Sequence, residues 1–129
     1  MKELFKAGDV KEYRHIVGPD DVARFHNATV HEVCSTFTLA RDIEWTTRQF
    51  VLDMKEEEEE GIGTFLEIRH QGPAFVGDEI TFRGYFGDLS VRELTCSFEA
   101  CVGSRIIATG KTGQKILPLE KFRSIFAHG

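Results

Sequence analysis

The sequence is short of basic charge, of cysteine and of long apolar runs, and each shortage excludes a class of function. Lys and Arg number 16 against 21 Asp and Glu, a net charge of −5. Non-specific nucleic-acid binding needs a basic stripe to neutralise phosphates, and this balance argues against one. No apolar run approaches the roughly 18 residues of a membrane span. The opening MKELFKAGDV lacks the apolar segment of a signal peptide. Cys34, Cys96 and Cys101 form no metal-binding spacing, and an odd count is a poor disulfide framework. A cytoplasmic protein in a reducing environment is the expectation. Also missing are a Gly-rich phosphate loop, a dinucleotide fingerprint and a Gly-x-Ser-x-Gly elbow. One Trp and two Tyr against eleven Phe point to a core filled by rings without polar handles.

What is present fits one domain over residues 1–129, with 41% apolar and 29% charged residues. Residues 9–17 read as a strand that Gly18-Pro19 ends. Asp20-Asp21 then caps a short helix to about His26. Residues 27–38 read as a connection. The main helix is expected from Leu39 to Lys55 with Thr38 as its cap. Glu56 to Glu60 read as its solvated, frayed end, with an acidic metal site as the weaker alternative, and Gly61-Ile62-Gly63 breaks it. Four strands follow, over 64–70, from Ile80 to a turn at Gly87-Asp88, over 89–102 and over 105–117, with Gly103-Ser104 turning the last hairpin. Pro118 opens a short terminal helix. A single amphipathic helix among antiparallel strands must lie on their sheet, an α+β arrangement.

Placed at about 100° per residue, Leu39, Ala40, Ile43, Thr47, Phe50, Val51 and Met54 fall within one arc of about 120°. Glu44 lies about 20° beyond its edge. Arg41, Asp42, Arg48, Gln49 and Asp53 fall on the far side, as do Trp45 and Leu52, which a second subunit would cover. A carboxylate at the rim of an apolar face is raised by desolvation unless charges or hydrogen bonds hold it ionised, and a poised carboxylate serves as base or nucleophile. It also serves as an ordinary rim residue reaching solvent along its stem. His70 closes the inward row Thr64, Leu66, Ile68, and is either a core hydrogen bonder or a proton carrier. Thr36, with Ser35 and Thr38, precedes the helix as a cap or as a group that positions a carbonyl or water, and Cys34 is a rival nucleophile.

Ile68-Arg69-His70 leading to Pro73 and Val76-Gly77-Asp78 resembles the hotdog-fold acyl-CoA thioesterases, in which a sheet wraps one long helix. The fluoroacetyl-CoA thioesterase type is closer still. It has a Thr eight residues before a Glu-Trp pair (Thr36, Glu44, Trp45), a Gly-Thr strand ending in His (Gly63-Thr64 to His70) and a Leu-Glu-Lys-Phe segment (Leu119 to Phe122). The resemblance runs from about Gly8 to Ile125. It implies a hotdog fold with about five strands and hydrolysis of a small acyl-CoA to free acid and coenzyme A. It implies a catalytic set of Thr36, Glu44 and His70, with Gly63, Phe37 and Gln114 at the substrate. Glu44 would attack the thioester or activate water, His70 would serve as acid and base, and Thr36 would orient Glu44 or the carbonyl. No metal or redox cofactor is implied, and the partners are the acyl-CoA and a second copy, as a homodimer with its sites at the interface. The stretch from Pro19 to Thr36 is shorter than the family's aromatic lid, leaving Phe25 and Phe37 to cover the pocket. Gln114 replaces a family Arg, which passes phosphate contact to Lys111, Lys115 or Lys121. The alternatives are an acyl-CoA-binding protein without turnover and a hydratase of enoyl thioesters.

Overall fold

Alternation of apolar and polar residues builds the sheet. Its strands are β1 (Val10–Ile16), β4 (Glu59–His70), β5 (Glu79–Ser90), β6 (Glu93–Val102) and β7 (Arg105–Pro118), all antiparallel, in the order β1-β5-β6-β7-β4. The computed structural model describes residues 1–25 and 28–127 and, apart from 23–25 and 28–32, their side chains. A separate pair, β2 (Val22–Phe25) and β3 (Ala28–Cys34), precedes the long helix α1 (Thr36–Met54). The short helix α2 (Leu119–Ala127) closes the chain. One 19-residue helix laid on a five-stranded antiparallel sheet is the hotdog fold that the resemblance implied. Among the described residues no helix is long and apolar enough to cross a membrane.

The stripe read from the helical period forms the core. Leu39, Ile43, Phe50, Val51 and Met54 are fully buried. Each such side chain stabilises the fold by about 2 kcal/mol relative to exposure. The core has two parts. The first half of α1 packs Leu39 and Ile43 on Ile80, Phe82 and Phe98. The second packs Phe50, Val51 and Met54 on Phe86, Leu94 and Ile116. Between them the helix comes so close to β5 that a Cβ on Gly84 would stand 3.0 Å from Thr47 Cγ2.

Several boundaries differ from expectation. The segment after Gly18 makes a single 3-10 turn, Pro19–Asp21, and then β2. The Asp21 carboxylate does not cap a longer helix, because it turns back to accept from the Gly18 N–H at 2.7 Å. His26, the expected end of that helix, lies outside the described residues. The expected connection over 27–38 contains β3, whose Thr29, Val30 and Val33 favour extended backbone. Helix α1 begins three residues early because Ser35, not Thr38, is its cap: the Ser35 hydroxyl accepts from the Thr38 N–H at 3.1 Å. It ends at Met54, and Lys55 is extended.

Glu59 and Glu60 therefore belong to β4, and Gly61 to Gly63 continue that strand. Glu59 is buried, 2.8 Å from the Met1 amino group and paired with Arg92. Burial alone would raise its carboxyl, but the amino terminus, the Glu56 N–H and Arg92 bring it down to about 2. Strand β5 runs on past Gly87-Asp88, and the turn falls at Val91 and Arg92, with φ of 48° and 67°. Two positive φ values are the geometry of a tight hairpin turn, normally filled by Gly or Asn. Arg92 is tied down there, its Nε donating to the Ile116 carbonyl at 2.7 Å.

Candidate active site

The first turn of α1 meets the end of β4, and Arg48, further along α1, meets its beginning. Two clusters stand along this seam. At one end, Thr36 Oγ1 lies 3.0 Å from His70 Nδ1, across 34 residues of sequence. The tautomer decides which of the two donates. His70 was expected to close a buried row, but its side chain is exposed. Leu66 and Ile68 of that row do pack on the core, whereas His70 sits where the strand has passed the helix start.

The loop after His70 supports this end. Gly77 adopts φ +95°, a conformation that disfavours other residues, and Asp78 accepts from the Phe75 N–H at 2.9 Å. The Ala74 carbonyl in turn accepts from the Cys34 N–H at 2.7 Å, just before the Ser35 cap. The Val76-Gly77-Asp78 motif thus holds the chain that delivers Thr36.

Further along the seam is a cavity of about 280 Å³. Arg41, Glu44, Trp45 and Arg48 line it from one flank of α1, a spacing that puts all four on one side of a helix. Gly63 and Phe65 line it from β4, and Thr112, Gly113 and Gln114 from β7. Any Cβ on Gly113 would collide with the Phe65 ring, so glycine lets that ring lie against β7. The register of β4 on β7 shifts between Gly63 and Phe65, which opens the pairing at the cavity wall. The floor is a fixed polar seam: Thr112 Oγ1 and Gln114 Nε2 both donate to Thr47 Oγ1, at 3.0 and 3.1 Å.

Of the expected site residues, the fold joins Thr36 with His70, and Glu44 with Gly63 and Gln114. Glu44 stands eight residues after Thr36, about 12 Å along the helix axis. Phe37 is 80% exposed and is not among the cavity's lining residues. The Phe25 side chain lies outside the described residues. Lys111, Lys115 and Lys121 are exposed and likewise absent from the lining. The cations at the cavity are Arg41 and Arg48, which bracket Glu44 and which the sequence reading left on a solvent face. Their spacing, three before and four after the carboxylate, was the available signal. Arg48 Nη2 donates to Glu60 Oε1 at 3.0 Å, and Arg41 Nε to Asp42 Oδ1 at 3.3 Å. Cys34 is 1% exposed, and burial with help from the Asp21 and Asp42 carboxylates pushes its thiol up to about 12. A thiol in that state is a poor nucleophile.

The family model described as FlK, fluoroacetyl-CoA-specific thioesterase, matches residues 17–120. The chain belongs to that family. The fluoroacetyl-CoA-specific thioesterase family is a branch of the hotdog thioesterases, and solved structures agree on the fold. A Thermus thermophilus hypothetical protein, TTHA0967, described as a thioesterase superfamily member, is 27% identical over 98% of this chain and 93% of its own, with a TM-score of 0.92. The fluoroacetyl-CoA thioesterase FlK itself is 20% identical over 98% of each chain, with a TM-score of 0.87. A hot-dog-like protein from Thermanaerovibrio acidaminovorans is 18% identical over 98% of this chain and 93% of its own, with a TM-score of 0.89. No curated protein sequence matches the chain.

Proposed function

We propose that the protein hydrolyses a short acyl-CoA to the free acid and coenzyme A. The observation that carries this reading is the Thr36–His70 contact, at the end of the same seam that sets Glu44 against Gly63 and Gln114. In the proposed reaction the Glu44 carboxylate takes a proton from the attacking water, or attacks the thioester carbonyl to form an anhydride that water then opens. Glu44 and the Thr36–His70 pair of one chain stand about 12 Å apart along α1, so the His70 that gives a proton to the departing thiolate, its ring oriented by Thr36, is the second copy's. Arg41 and Arg48 supply positive charge beside the carbonyl oxygen as it gains negative charge. A cavity of about 280 Å³ suits an acyl group of a few carbons. Trp45 and Phe65 supply apolar wall, so acetyl and propionyl thioesters are the proposed class. Phe37 does not line the cavity, so fluoroacetyl preference is a separate arm of the test, with fluoroacetyl-CoA set beside acetyl-CoA in the panel.

Purified protein is expected to release free thiol from a panel of acyl-CoA esters, most rapidly from the shortest. Saturable binding without thiol release across the panel would overturn hydrolysis in favour of a binding protein. Loss of crotonyl-CoA absorbance without thiol release would point to hydration.

The active unit in this reading is a homodimer paired through β4. That strand is one of the sheet's two edges, the one beside the cavity, and Ile62 and Phe65 on it, with Trp45 beside it, are 38–45% exposed. Unpaired edges with apolar side chains invite pairing. A second copy on that edge also closes the open side of the cavity, bringing its own residues towards Glu44. Light scattering is expected to give twice the chain mass, and a stable monomer at micromolar concentration would sink this assembly.

A further inference from the structure

A charged cluster that shares Arg41 with the cavity wall stands against the first turns of α1. His15 on β1, Asp21 in the 3-10 turn and Asp42 on α1 meet there. His15 Nε2 stands 2.6 Å from Asp21 Oδ2, and Nδ1 stands 3.6 Å from Asp42 Oδ2. Asp42 was expected on a solvent face, yet it is 4% exposed, because β1 and the 3-10 turn cover that side of the helix. Its Oδ2 has no hydrogen-bond partner among the described residues.

Arg41 closes the outer side, with Nε on Asp42 Oδ1 at 3.3 Å and Nη2 3.9 Å from Asp21 Oδ1. Burial pushes the Asp21 carboxyl up, but the Gly18 N–H, His15 and Arg41 outweigh it and hold it below the usual range. The other titratable groups near the cluster are Tyr13, which acts on Arg41, and the uncharged Cys34 thiol. Two carboxylates against one guanidinium leave one negative charge over. A ring with a single N–H serves one acid and turns a lone pair towards the other. Leaving a buried charge unpaired is costly.

The cluster is wired to the helix start. The Asp21 carbonyl accepts from the Ser35 N–H at 2.8 Å and from Thr38 Oγ1 at 3.4 Å. Asp21 therefore grips His15 by its side chain and the α1 cap by its backbone. Asp42 fixes the second turn. Thr36 lies between these two anchors.

We propose that His15, standing between the two carboxylates, holds Asp21 and Asp42 together and so positions Thr36 against His70. His15 is then a positioning residue, three contacts removed from any substrate. The proposal rests on the hydrolase reading only in taking the Thr36–His70 pair as part of the machinery.

His15→Gln is expected to lower kcat about tenfold with KM unchanged, and to move the His70 ring signals. Adding Asp42→Asn to His15→Gln is expected to bring kcat back to within about threefold of the parent, since no carboxylate is then left unpaired. Unmoved His70 signals in His15→Gln overturn the clamp, as do effects of the two substitutions that simply multiply. The His70 ring spectra and a double-mutant cycle on the unfolding midpoint read the clamp without turnover. A protein that hydrolyses no thioester would sink the proposed function and leave this test standing.

Discussion

Glu44→Gln is expected to lower kcat for short acyl-CoA hydrolysis by about a thousandfold while the protein stays folded. The carboxylate is exposed at the cavity wall and is flanked by two arginines on its own face of α1. Gln keeps the length, shape and helix preference of the side chain, so stability is expected to change by less than about 0.5 kcal/mol. What Gln loses is the negative charge that attacks a carbonyl or takes a proton from water. KM is expected to stay within a few-fold, because binding uses the cavity walls and the arginines rather than this charge. His70→Ala is expected to give a loss of similar order, and Thr36→Ala a smaller one, since Thr36 acts by orienting the ring. Release of free thiol, followed by a chromogenic reagent, is the measurement. Full activity in both Glu44→Gln and His70→Ala would overturn the assignment.

The helix core was legible because a 3.6-residue period says which side chains share a face. That logic put Asp42 on the far side of the helix, yet it is buried. Its cover comes from β1 and the 3-10 turn, more than 20 residues upstream, and local periodicity carries no information about a second wall. The same limit explains β2 and β3. Asp20-Asp21 looked like a helix cap because acids suit helix starts, but Asp21 answers to His15 and Gly18. The turn at Val91-Arg92 carried no Gly or Asn to announce it, and its register is set by strand pairing. Candidate site residues showed a parallel split. Periodicity put Glu44 at a rim, strand alternation singled out His70, the helix start offered Thr36, and the family resemblance joined the three as one set. Neither pointed to Arg41 and Arg48, because a cavity between α1 and β4 exists only once the sheet has brought β7 beneath it.

Phe50→Ala is expected to destabilise the protein by about 4 kcal/mol. With a urea slope of about 2 kcal/mol per molar, the unfolding midpoint falls by about 2 M. The ring is fully buried, edge-on to Phe5 at 4.9 Å and to Phe86 at 5.6 Å between centroids. Its neighbours come from the N-terminal segment, from β5 and from α1 itself, three elements with separate anchors. None can move in to fill the space without breaking its own contacts, so a cavity remains and its cost adds to the lost transfer energy. A loss below about 1.5 kcal/mol would mean that the site collapses and that this half of the core is loosely built. Below the new midpoint, hydrolysis is expected to hold within about threefold, because Phe50 packs on Phe5 and Phe86 and does not line the cavity, whereas Glu44 does. Glu44→Gln and Phe50→Ala should then show opposite profiles, one folded and inactive, the other active and fragile. Parallel loss of stability and turnover in Phe50→Ala would show instead that the cavity wall depends on the core packing one and a half turns along the same helix.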